Sequence, residues 1–82
     1  MKARADLRAI GARIRELRGT MLQEELAEFL GVSQGQLSRI EHGKLGPTAE
    51  VLLRLVEKFG ASSDWILTGH GGGRTEGSNG PA

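Results

Sequence analysis

The sequence predicts an all-α domain, and three observations carry that expectation. Apolar residues recur every three or four positions through most of residues 1–69. Glycines stand just past each such run, and no stretch shows the apolar–polar alternation of a half-buried strand. Leu7, Ile10, Ile14 and Leu17 predict an amphipathic helix over roughly 6–18, broken by Gly19 and Thr20. Leu26, Ala27, Phe29 and Leu30 predict a second helix at about 23–30, with Gly31 as its stop. Ser33 is a good N-cap for a third, about 34–42, with Leu37 and Ile40 inward and Gly43 ending it. Behind Pro47, Thr48 can cap a fourth whose buried face is Val51, Leu52, Leu55, Val56 and Phe59, closed by Gly60. Ser63 begins a short fifth helix carrying Trp65, Ile66 and Leu67 and ending at Gly69. The expected architecture is a compact five-helix bundle.

A chain of 82 residues is one domain, here expected to occupy 1–69. Residues 70–82 read GHGGGRTEGSNGPA from Gly69 onward, with nothing apolar larger than proline, and cannot bury enough surface to offset their ordering entropy. A disordered Gly-rich tail is expected there, either free or the beginning of a linker in a longer protein. Hydrophobic residues at 38% and charged residues at 26% are ordinary for a soluble domain. No long apolar run or export signal is present, so no membrane partner is expected. Cysteine is absent, which excludes disulfides and thiolate metal sites and fits a cytoplasmic protein. His42 and His70 are too few and too isolated for a metal centre, and no cofactor is expected.

The net charge is only +1, but its distribution is uneven. Residues 1–18 carry Lys2, Arg4, Arg8, Arg13, Arg15 and Arg18 against Asp6 and Glu16. Beyond them Arg39, Lys44, Arg54 and Lys58 face an excess of acids. A basic first helix can attract phosphates; equally, it can be a solvated face.

The informative stretch runs from Gln23 to Lys44. Two short helices joined by a Gly-containing turn form a helix-turn-helix. Small Ala27 suits a close crossing, and Leu26, Leu30, Val32, Leu37 and Ile40 suit the shared core. That leaves Gln34, Gln36, Ser38 and Arg39 for the outer face of the second helix of the pair. Glutamine can bond adenine bidentately, and arginine can bond the O6 and N7 atoms of guanine. Such residues on an exposed helix are often merely solvated, but their place in the first turns of that helix favours base reading.

These residues, with QEELAEFLGVSQ, LSRIEHGK, Pro47 and SSDWILTG, make residues 7–69 resemble the XRE/Cro-type helix-turn-helix family, which includes the lambdoid phage repressors. The resemblance implies helix 2 lying across a DNA backbone and helix 3 in the major groove. It makes Gln34 the first base-reading residue and Gln23 the glutamine that grips a phosphate and braces it. Arg39 falls on a second base-facing position, and Ser33, His42 and Lys44 on backbone-contacting ones. Arg18 and Glu41 match a pair that bridges helices 1 and 3 in some relatives. Two positions depart from the pattern. Leu22 replaces the usual Ser or Thr cap of helix 2, and Gly35 replaces a contacting polar side chain. Gly35 either omits one contact or lets the chain approach DNA closely.

The function the resemblance implies is a DNA-binding repressor acting as a homodimer on a near-palindromic operator. Trp65, Ile66 and Leu67 are the expected dimer contact; Trp65 also reads as core, and both readings stand together. An antitoxin or restriction-modification controller, binding a partner protein and its own promoter, is the alternative. No Ser/His/Asp, Cys/His or metal constellation is present and both histidines adjoin glycines, which speaks against an enzyme.

Overall fold

Each helix begins where the sequence offers a side-chain cap, with one exception. The structure, a computed structural model, describes residues 5–71. It contains α1 (Leu7–Arg18), α2 (Gln23–Leu30), α3 (Gln34–Glu41), α4 (Ala49–Phe59) and α5 (Ser63–Thr68). No strand occurs among the described residues; Ala61 is a single bridged residue. The side chains of Asp6, Ser33, Thr48 and Ser62 each accept a hydrogen bond from the backbone N–H three residues on, capping α1, α3, α4 and α5. Leu22 heads α2 and provides no side-chain cap. The expected tail falls outside the described residues apart from His70 and Gly71, as do Lys2 and Arg4.

α1 packs on α3 and α5, α2 packs on α3 and α4, and α4 meets α5. The core they enclose is built from Ile10, Ile14 and Leu17 of α1, Leu26, Ala27 and Leu30 of α2, and Leu37 and Ile40 of α3. Val51 and Leu55 of α4, Ala61 of the α4–α5 connection and Ile66 of α5 complete it. Leu52, Val56 and Phe59 are half-buried at its edge, as their place on the apolar stripe of α4 requires. Phe29 belongs to the outer face of α2, where the Lys58 ammonium sits 4.7 Å from its ring centroid.

Two glycines set the position of α3. Gly11 is buried in the middle of α1, and a Cβ there would overlap the Ile40 carbonyl oxygen and lie 2.5 Å from that of Glu41. α1 and α3 therefore cross in backbone contact at Gly11. Gly43 then turns the chain away from α3 with φ of +77°, and a Cβ on it would lie 2.7 Å from the Arg8 Cα. It needs glycine both for its dihedral and for the space. Together these contacts press the C-terminal end of α3 against α1 and leave its opposite side uncovered.

Candidate nucleic-acid interface

On α3, Leu37, Ile40 and Glu41 are buried. At about 100° per residue the opposite side of the helix is centred between Gly35 and Arg39, with Ser38 beside them. Arg39 and Gly35 are exposed and Ser38 is half-buried. Gln34 and Gln36 flank this face on opposite sides. Exposed Gln34 lies toward the start of α2, while half-buried Gln36 lines a groove with Ser33, Gly35, Arg39 and Leu45. Of the four residues expected to face outward together, Arg39 and Ser38 thus belong to the outer face itself, while Gln34 and Gln36 stand on its opposite flanks, Gln36 sharing a groove with Arg39. A Cβ on Gly35 would find nothing nearer than Ser33 Oγ at 4.0 Å, so nothing in the protein's own packing requires glycine there.

The flank of α3 nearest α2 carries a connected polar cluster. Arg18, the last residue of α1, donates from Nε to Glu41 Oε2 at 2.7 Å and from Nη2 to Glu41 Oε1 at 2.9 Å. It also donates from Nη1 to the Met21 carbonyl at 2.8 Å. The Glu41 side chain is only 2% exposed, so this bidentate pair is a buried one and the carboxylate depends on its donors. The hydrogen bond to Glu41 raises the Arg18 guanidinium above its ordinary pKa, outweighing the opposing effect of burial. The Glu41 carboxylate accepts a third bond at Oε1, from Gln23 Nε2 at 2.9 Å, and Gln23 Oε1 accepts from Gln34 Nε2 at 3.4 Å. The Gln23–Gln34 brace and the Arg18–Glu41 bridge implied by the sequence resemblance are both present in this geometry.

At the other end of α3, His42 Nδ1 lies 2.7 Å from the Ser38 carbonyl oxygen. A carbonyl only accepts, so Nδ1 carries the hydrogen and Nε2 is left for solvent or a ligand. Ser38 Oγ is 3.5 Å from the same nitrogen. Lys44 is exposed just past Gly43. Ser33 is exposed but occupied as the cap of α3, accepting from Gln36 N–H at 3.0 Å. The first N–H groups of α2 have no side-chain cap, and an uncapped helix N-terminus suits an anion.

The basic first helix divides in two. Arg18 is held by Glu41, and Arg13 donates to the Ile66 carbonyl at 3.0 Å, tying α1 to the end of α5. Arg8 and Arg15 are exposed. The expected dimer contact is corrected in one respect. Ile66 is wholly buried within the protomer, so Leu67 (39% exposed) and the half-buried Trp65 are what α5 offers to a partner. Sequence reasoning named Ala27 for a close crossing of the second helix and missed Gly11, which serves the separate crossing of α1 on α3. A glycine inside an amphipathic stretch, where it weakens a helix, was the available signal.

Two consecutive short helices, the first braced across the start of the second and the second exposing a polar face, define a helix-turn-helix protein. The chain belongs to the helix-turn-helix family, whose model matches residues 12–66. It is 39% identical over 61 residues to the HTH-type transcriptional regulator RamB of Mycobacterium tuberculosis, a match covering 72% of this chain and 13% of RamB. It therefore spans a small part of that relative's length. The fold is similar to that of the P22 c2 repressor in complex with a synthetic operator, with 34% identity, a TM-score of 0.68, and coverage of 73% of this chain and 94% of the repressor chain. It is also similar to the restriction-modification controller protein C.AhdI from Aeromonas hydrophila, with 31% identity, a TM-score of 0.58, and coverage of 63% and 82%.

Proposed function

We propose that this chain is a DNA-binding transcriptional regulator that reads double-stranded operator DNA with α3 in the major groove. The observation that carries this reading is the outer face of α3. It presents polar side chains outward, while Gly11, Gly43 and the Arg18–Glu41 pair hold the helix from behind. Arg39 and Gln34 are the leading base readers, with Gln36 and Ser38 beside them. Gln23, Ser33, His42 and Lys44 contact the sugar-phosphate backbone, and exposed Arg8 and Arg15 add long-range attraction.

The functional unit in this reading is a homodimer on a near-palindromic site, since one α3 spans too few base pairs for selectivity against a genome. Repression follows from occupying promoter DNA and involves no catalytic step, cofactor or metal; the working location is the cytoplasm. The likeness to C.AhdI favours a second, narrower reading as a controller of a neighbouring restriction-modification operon. A methyltransferase or nuclease gene beside the coding sequence would support it.

The test is selection of bound sequences from a random DNA pool, followed by titration of the selected site at several salt concentrations. One enriched, near-palindromic sequence and a steep fall in affinity with salt are expected. Absence of any enriched sequence, or affinity independent of salt, would overturn the reading.

A further inference from the structure

The polar cluster behind α3 does more than join helices, because its members differ in what they can accept and donate. A carboxylate only accepts. Glu41 Oε1 therefore obliges Gln23 to turn its Nε2 inward, at 2.9 Å, and its Oε1 outward. That oxygen in turn can only accept, so the neighbouring Gln34 amide must face it with Nε2, as it does at 3.4 Å. One oxygen and one hydrogen of the Gln34 amide are then left outward, in the order that this bond favours. The amide nitrogen and oxygen are nearly alike in shape, so partners of this kind decide which way round a glutamine sits.

The origin of this series does not rotate. Glu41 is 2% exposed and held on both oxygens by Arg18, whose remaining nitrogen is occupied by the Met21 carbonyl at 2.8 Å. We propose that Glu41 is a positioning residue for base readout, setting through Gln23 the donor–acceptor order that Gln34 presents to DNA. A glutamine free to turn over would match an adenine edge, with its N6 donor and N7 acceptor, in only one of its two orientations. This inference rests on the DNA-binding reading. The final link is long and exposed, so it biases the amide without locking it, and the effect on discrimination is modest.

The test uses the full chain and its selected operator, together with operators changed at each base pair in turn. Gln34→Ala first identifies the base pair that Gln34 reads. Gln23→Met cuts the middle link and leaves the Arg18–Glu41 pair intact, so folding is preserved. It is expected to lower affinity for all sequences through the lost phosphate contact. In addition it should reduce discrimination at that one base pair about fivefold, near the lower end of what a bidentate amide–base pair contributes. This extra loss should vanish when Gln34 is already alanine. Glu41→Gln, which keeps the shape but admits both amide orientations, should reproduce it, and in the free protein should shift the Gln34 side-chain amide resonances it does not touch. A uniform loss across all base pairs, or an unchanged loss in the Gln34→Ala background, overturns the positioning role while leaving DNA binding intact. Failure of the unmodified chain to select any sequence would overturn the DNA-binding reading and this inference with it, and only that outcome removes both.

Discussion

Gly11 of α1 lies against the backbone of Glu41 in α3, so near that a Cβ on the glycine would stand 2.5 Å from the Glu41 carbonyl oxygen. The same helix crossing brings Arg18, two turns further along α1, level with the Glu41 side chain. Close backbone approach and the buried ion pair are thus two consequences of one geometry, and α3 owes its fixed position to both.

The same substitution at two glycines should have opposite signs. Gly11→Ala forces backbone apart and is expected to destabilise by at least about 2 kcal/mol, lowering Tm by roughly 8–16 °C in a domain of this size. Gly35→Ala meets open space and is expected to stabilise α3 by up to about 1 kcal/mol. Thermal melts of both variants decide this; equal shifts would show that the crossing at Gly11 is looser than described. If Gly35→Ala is stable yet loses operator affinity, the glycine serves close approach to DNA.

Removing one partner of the buried pair should cost more than removing both. Arg18→Met leaves the Glu41 carboxylate buried with Gln23 as its remaining side-chain donor, an expected loss of about 3–5 kcal/mol in urea denaturation. Arg18→Met combined with Glu41→Leu should recover part of that loss. A double variant as unstable as the sum of the singles would mean that the pair acts through packing rather than charge.

Leu22 is 61% exposed and heads α2 without a side-chain cap. Leu22→Ser is therefore expected to stabilise the domain by about 0.5–1 kcal/mol, as its hydroxyl takes up an orphan N–H at the start of the helix. Destabilisation on melting would show that apolar contacts of Leu22 outweigh the missing cap.

Phosphate and base contacts separate by their dependence on sequence. Lys44→Ala should weaken binding to operator and random DNA alike and flatten the salt slope by about one, whereas Arg39→Ala should relax preference at one base pair by about 1–3 kcal/mol. Equal losses on both DNAs for the Arg39 variant would remove it from the base readers.

Neighbouring residues of α5 should separate folding from association. Ile66→Ala empties a fully buried site and should lower monomer stability by about 2–5 kcal/mol. Leu67→Glu, at an exposed position, should leave the melt nearly unchanged and abolish dimerisation in sedimentation and two-per-site binding on DNA. A Leu67→Glu chain that still dimerises moves the interface elsewhere.

What the sequence determined by itself is whatever depends on neighbours along the chain. Apolar spacing, the caps at Ser33 and Thr48, and the stopping glycines mark five helices to within a residue or two, because capping and periodicity are local; the caps at Asp6 and Ser62 follow the same local rule but emerged only in the structure. The Gln–Gln brace and the Arg18–Glu41 bridge were legible only through a family resemblance, since 23 residues separate the ion-pair partners. Only the tertiary structure decided which face each exposed residue joins. It divided Gln34 from Gln36, put Ile66 inside and Phe29 outside, and turned Arg13 from a prospective phosphate contact into a tie between α1 and α5. The physical reason is that a helix of eight residues has too few apolar positions to state its orientation, so the partner that covers it chooses the face. In α3 that partner is α1, and the choice turns on the missing side chain of Gly11.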